Sequence, residues 1–152
     1  VIVGCRNQGA SAVDYMVAIK GANYTNVGSL YFASGRPGAV WFDNSSGSAD
    51  ILHASTLYTP AVITSVKRTN AKQLRVNSVQ SGATNNTVMS ATTVTNAWIG
   101  GGSASYAGVL DSSYYFNGSI SIVIVVKGTL TDAELLLLER FAASVTPGAP
   151  VF

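Results

Sequence analysis

Apolar and polar residues alternate over short runs along most of the chain, and small turn-forming residues close each run. A period of two marks half-buried β-strands. Val1–Arg6 is the first run and Asn7-Gln8-Gly9 breaks it. Val13–Lys20 follows and stops at Gly21. Ser29–Ala33 ends at Gly35-Arg36-Pro37-Gly38, and Ala39–Asp43 leads into the polar stretch Asn44–Ser48. Ile51–His53 is short. Ala61–Arg68 opens after Pro60, which suits a strand start because proline offers no ladder N–H. Gln73–Val79 is expected to pair back on it across Thr69-Asn70-Ala71-Lys72. Thr87–Ser90 is weak, Thr95–Ile99 runs into Gly100-Gly101-Gly102, and Ser119–Lys127 is the most apolar run. Turns at this regular spacing, about 8–12 residues, predict an all-β fold, an antiparallel β-sandwich of the jelly-roll kind.

One segment departs from the period of two. Thr131 and Glu134 form a T-x-x-E capping box, with Leu130 and Leu135 at the hydrophobic-staple positions. Asp132 and Glu134 complement the positive helix end, and Arg140 the negative end. The spacing predicts a short C-terminal α-helix over Asp132–Ala143, with Leu135, Leu138 and Ala142 facing the body and Leu137 or Phe141 at its flank. Residues 1–146 are read as one domain and 147–152 as a tail. Val1-Ile2-Val3 already reads as strand. The chain is therefore expected to be a fragment or processed product that begins inside its domain, without its first strand.

Composition narrows the chemistry. The 152 residues suit one domain, and only 11% of them are charged, against about 25% usually. Ser, Thr and Asn number 18, 13 and 10, so hydroxyl and amide groups supply most of the polarity. Nine scattered basic residues against seven acids leave no nucleic-acid footprint. The longest apolar run, Ile120–Val126, is far short of the roughly 20 residues of a membrane span. One Cys and one His exclude an internal disulfide and a Cys/His zinc site.

Several segments, in order, resemble one family. Ala61–Arg68 with Leu74-Arg75-Val76-Asn77 resembles the central hairpin of laminin G-like jelly rolls, whose "Y-V-D-G" turn reads here Val76-Asn77-Ser78-Val79. Trp98-Ile99-Gly100-Gly101-Gly102 resembles the "x-I-G-G" strand end. Tyr115-Phe116-Asn117-Gly118-Ser119-Ile120-Ser121 resembles the "F-x-G-x-I-x-E" strand start. Gly128-Thr129-Leu130-Thr131-Asp132-Ala133-Glu134 resembles the closing "R-x-L-S-D-x-E" helix start. The family is the concanavalin A-like lectin/glucanase superfamily, in its laminin G-like branch and of phage or bacterial type. The resemblance implies a binding module for glycans or proteins, within a virion or extracellular protein, and sometimes a rim Ca²⁺.

A glucanase site would need paired carboxylates about 5 Å apart. The family's Glu-x-Asp-x-x-Glu strand pattern is missing, and both glutamates fall on the predicted helix. A serine triad would depend on His53, and no Gly-x-Ser-x-Gly elbow accompanies it. Cys5 lies in an apolar strand, where a thiol is inert. The chain is therefore expected not to be an enzyme and to require no cofactor. Calcium remains compatible, with Asp43 and Asp111 as loop ligands.

Recognition chemistry is better represented. If Leu30, Phe32, Val40, Phe42, Leu74, Val76, Ala97 and Ile99 point inward, strict alternation turns Tyr31, Trp41, Arg75, Asn77 and Trp98 outward. Such a face suits sugars, because aromatic faces stack on them while Asn and Arg bond their hydroxyls. Tyr106 and Tyr114 flank a Gly/Ser-rich loop of the adaptable kind found in paratopes. The expected ligand-binding residues are thus Trp41, Trp98, Tyr31, Arg75, Asn77, Tyr106 and Tyr114. The expected partners are a glycan or neighbouring protein subunits, a homo-oligomer included, with no nucleic acid and no membrane insertion. The mean hydropathy of +0.30 favours the alternative, a structural assembly or decoration domain whose surface is covered by its neighbours.

Overall fold

The computed structural model describes residues 1–9, 12–21, 28–42, 48–68, 70–88, 94–102 and 112–152. Its strands are β1 (Ile2–Asn7), β2 (Asp14–Gly21), β3 (Ser29–Ala33), β4 (Arg36–Phe42), β5 (Ser48–Leu52), β6 (Ala61–Arg68), β7 (Ala71–Val76), β8 (Val79–Asn85), β9 (Val94–Ile99) and β10 (Gly118–Ile124). A 3₁₀ turn covers Ser112–Tyr114, and helix α1 covers Asp132–Ser144. The strands form two five-stranded antiparallel sheets, ordered β10-β1-β6-β7-β8 (sheet I) and β5-β4-β3-β2-β9 (sheet II). The fold is a β-sandwich jelly roll with one helix, as the strand spacing predicts.

The core lies between the sheets. Val3, Cys5, Ile63, Leu74 and Val76 come from sheet I, and Met16, Val17, Ile19, Leu30, Phe32 and Trp41 from sheet II. Phe116 extends it by stacking on Phe32 at a centroid distance of 5.8 Å. Alternation places Leu30 and Phe32 inward, as expected, but β4 runs in the opposite phase. Leu30 pairs with Ala39 and Ser29 with Val40. Ala39 and Trp41 therefore join the core, and Val40 lies on the outer face opposite Asp50. Consecutive apolar residues from Ala39 to Phe42 give no polar contrast from which a phase can be read.

Sheet I is covered on its outer face by α1. Ile2, Val62, Leu135, Ala142 and Ala143 form a second buried cluster, with Val66, Leu130 and Leu138 against it. The helix starts as its sequence predicts. Glu134 N–H donates to Thr131 Oγ1 (3.2 Å), and Thr131 N–H donates to Glu134 Oε2 (2.8 Å). At the other end Arg140 Nε donates to the carbonyl of Phe152 (2.6 Å). Residues 147–152 thus turn back on the helix, and Phe152 packs with its cluster.

One hairpin is tighter than expected, and a second follows at the turn Val76-Asn77-Ser78-Val79 that the resemblance implies. Arg68 pairs with Ala71, so β6 and β7 are joined by residues 69–70 only. Val76 pairs with Val79, and Asn77 and Ser78 between them have φ of +49° and +66°. Two positive φ angles make the twisted two-residue turn that matches strand twist. The run Gln73–Val79 therefore splits, and β8 follows it. Most of β8 is polar and exposed because it is an edge strand, so its alternation is faint. Thr87 and Val88 lie outside any strand, and the rest of the expected strand Thr87–Ser90 lies outside the described residues. No helix among the described residues is long and apolar enough to cross a membrane.

Candidate functional site

Among the described residues no helix covers the outer face of sheet II, and a row of tyrosines lies there. Tyr15 on β2 stands directly opposite Tyr31 on β3. Their ring centroids are 5.9 Å apart at 54°, and Tyr114 extends the row at 6.0 Å and 56° from Tyr15. These tilted contacts are a favourable aromatic geometry. A β-bulge between Tyr15 and Val17 keeps Tyr15 outward while Met16 and Val17 both enter the core.

Two glycines let the rings lie flat. A Cβ at Gly38 would come within 2.5 Å of Tyr31 Cζ, and one at Gly102 within 2.4 Å of Tyr15 Cδ2. Laid across Gly38, Tyr31 reaches the edge of the sheet, where its hydroxyl donates to Asp50 Oδ1 at 2.6 Å. Burial and that carboxylate both push the Tyr31 phenol well above its usual range, so it stays a neutral donor. Asp50 is exposed, and Tyr15 and Tyr114 are half-buried. Tyr115 is also exposed and bridges to Tyr15 through the backbone. Beside the row, Trp98 on β9 stands opposite Ala18, half-buried on the same outer face.

The sequence-predicted residues thus separate. Tyr31, Trp98 and Tyr114 share the outer face of sheet II. Trp41 is not outward: it has 0% exposure and belongs to the core. Arg75 does point outward, but on the other sheet. Its Nε and Nη2 donate to Glu139 Oε1 (2.8 Å) and Oε2 (3.0 Å), and Nη2 also donates to the Ser78 carbonyl (2.7 Å). Arg75 is therefore a clamp for α1. Asn77 forms the β7–β8 turn, and its Oδ1 accepts from Val62 N–H at 2.9 Å. Tyr106, Asp43 and Asp111 lie outside the described residues. Sequence reasoning missed Tyr15 and the pairing of Asp50 with Tyr31. The one available signal was glycine placed to accept a ring, and register alone reveals which ring.

The remaining reactive groups have structural positions. Burial pushes the Cys5 thiol up to about 12, so it stays protonated. His53 Nδ1 and Ser81 Oγ share a hydrogen bond of 2.6 Å that links the end of β5 to β8 across the two sheets. Glu134 is held by the capping box, Glu139 by Arg75 and Asp132 by Arg68. Among the described residues no group of three His, Cys, Asp or Glu side chains is placed to hold a metal ion.

Comparison with known proteins locates the fold. No protein-family model matches the sequence, and no curated protein matches it. Solved structures do. A native heptameric SAP-like pentraxin from Limulus polyphemus aligns with a TM-score of 0.64 and 17% identity, over 99% of this chain and 73% of that one. The CBM40 of a Ruminococcus gnavus IT-sialidase, bound to alpha2,3 sialyllactose, aligns with a TM-score of 0.59 and 16% identity, over 91% of this chain and 80% of that one. The same module bound to alpha2,6 sialyllactose gives 0.56 at 15% identity, over the same shares of the two chains. The chain shares the β-sandwich jelly-roll fold of these structures. The likeness is one of fold, and neither neighbour is of the laminin G or phage type.

Proposed function

We propose that this chain is a non-catalytic carbohydrate-recognition module of a larger extracellular or virion protein. The sugar seats on the outer face of sheet II, across Tyr15, Tyr31 and Tyr114, with Asp50 and Trp98 at its sides. The observation that carries this reading is the Tyr31–Asp50 pair within the tyrosine row. Rings offer stacking surfaces, and an exposed carboxylate fixed at one oxygen keeps its other oxygen for a sugar hydroxyl. Two neighbours fit the reading, since one structure holds a sialyllactose and the other is a SAP-like pentraxin.

The test is a glycan array followed by calorimetry with the best binder. Wild-type protein should bind at least one saccharide saturably, and Tyr114→Ala should weaken it about tenfold with little change in melting temperature. Saturable binding that survives Tyr114→Ala, Tyr15→Ala and Asp50→Asn would place the sugar elsewhere.

A subunit-contact role is the second reading. It is favoured by side chains left exposed near the sheet edges β9 and β10: Ile99 at 66%, Val125 at 60% and Val94 at 53%. Light scattering separates the two. A stable oligomer dissolved by Ile99→Asp, together with no hit on the array, favours assembly over recognition.

A further inference from the structure

The two sheets part at the end of the sandwich where β2 and β6 finish and β3 begins. The cavity between them has a volume of about 750 Å³, within the range of about 300–1,000 Å³ for small-molecule sites. It lies on the core side of sheet II, away from the tyrosine row. Ile19, Val94, Val125 and Val126 make its walls apolar, Trp41 lies at its floor, and Lys127 is at its mouth. No described residue that lines it is acidic.

The floor carries an unmet hydrogen bond. Trp41 is fully buried, and its indole Nε1–H has no acceptor among the described residues. A tryptophan N–H taken out of water ordinarily finds a partner, because leaving a donor unpaired costs stability. Gly28, which also lines the cavity, lies against that edge. A carbon built at its Cβ position would meet, among the described residues, only Cδ1 and Nε1 of Trp41, both at 3.6 Å. The N–H is closed off in this structure, so a ligand oxygen reaches it as the Gly28 backbone moves aside.

We infer that this cavity is a second binding site, for an amphiphilic organic anion with a hydrogen-bond acceptor at its buried end. The acceptor receives a hydrogen bond from Trp41 Nε1–H, the apolar middle fills the space between Ile19, Val94 and Val126, and the carboxylate stays at the mouth beside Lys127. An oxo- or hydroxy-carboxylic acid of medium chain length meets all three requirements. The indole supplies the donor that such a ligand completes, and the mouth supplies positive charge without a competing carboxylate.

Three probes of equal carbon number separate the parts: 7-oxooctanoate, octanoate and 2-octanone, each titrated by calorimetry into the full chain. The oxo acid should bind saturably and about tenfold more tightly than octanoate, as one good hydrogen bond predicts. Trp41→Phe should abolish that preference. Lys127→Glu lies on the exposed surface and should leave folding intact while weakening both acids, with 2-octanone unaffected. No saturable binding of the oxo acid, or equal affinity for the oxo acid and octanoate, overturns the inference. If Trp41→Phe fails to fold, the ratio of the two acids on wild-type protein together with the Lys127→Glu result decides it.

Discussion

The outer faces of the two sheets begin from the same alternation and end differently. On sheet I the outward residues Ile2, Val62 and Val66 are apolar, and α1 covers them. Its charged member, Arg75, is drawn under the helix and held by both oxygens of Glu139. On sheet II the outward residues include Tyr15, Tyr31 and Trp98, and no described helix covers them. Tyr15 and Trp98 are half-buried, and Asp50 is exposed beside the buried Tyr31. A face whose outward residues are largely apolar must be closed by another element, since leaving it wet forfeits about 25 cal/mol per Å². A face built from tyrosine can stay open, because each ring buries its flat surface on a neighbour and leaves its hydroxyl for a partner. The first face is therefore committed to stability and the second is free to bind.

Perturbations can break or sharpen that contrast. The largest effect is expected at the covered face. Glu139→Ala removes one partner of a buried pair and strands the Arg75 guanidinium, so urea unfolding should show a loss of about 3 kcal/mol. Sugar affinity of the fraction that remains folded should be unchanged. A loss of affinity equal to that of a tyrosine mutant would mean the two faces are coupled.

Next is Gly38→Ala on the open face. The new methyl group overlaps the Tyr31 ring, and overpacking of this kind costs about 2 kcal/mol. Here binding should fall with stability, since Tyr31 can no longer lie across β4 to reach Asp50. Tyr31→Phe keeps the ring and removes only the hydroxyl, so it should weaken the sugar with a smaller loss of stability.

Thr131→Ala should cost about 1 kcal/mol by thermal melting, the usual value of an N-cap, with no effect on binding. The smallest effect is acid dependence. The Thr131 backbone N–H, with its hydroxyl, holds the Glu134 carboxyl below its ordinary value of 4.5. Hydrogen bonding and charge from Arg68 hold Asp132 below 3.8. Both are more acidic in the folded chain, so their contribution is complete above pH about 4.5 and is lost as pH falls through the lower folded values. The melting temperature should therefore decline from about pH 4.5 downward, and less so in Thr131→Ala, which lacks the hydroxyl that holds Glu134. An equal decline in both proteins would show that the Thr131 hydroxyl does not contribute to the acid sensitivity.

Much of the fold was legible before the structure. Ser29–Ala33 and Ala61–Arg68 appear at the predicted boundaries, and α1 starts at its capping box and buries Leu135 and Ala142 as its spacing predicts. The candidate site was legible only in part. Tyr31 and Trp98 point outward on sheet II as expected, whereas Arg75 and Asn77 belong to sheet I, and Trp41 is in the core. Outwardness is a local property of a strand, but sharing a face depends on which sheet the strand joins. Tyr15 went unnoticed because the bulge after it shifts the phase of β2 by one residue, and a bulge is visible only in the pairing.

The sequence by itself determined where some strands start and stop, Ser29–Ala33 and Ala61–Arg68 among them, where the helix is capped, and that few carboxylates stand on strands. Those are matters of turn chemistry, local hydrogen bonding and composition, and neighbours along the chain decide them. Tertiary structure alone decided that Trp41 turns inward, that Tyr31 lies down over Gly38 toward Asp50, and that Glu139 meets Arg75, 64 residues away. In β4 every outward candidate was apolar, so either phase satisfied the local pattern. What selected one was the space available between the sheets and the partner available across the strand, and neither exists until the chain has folded.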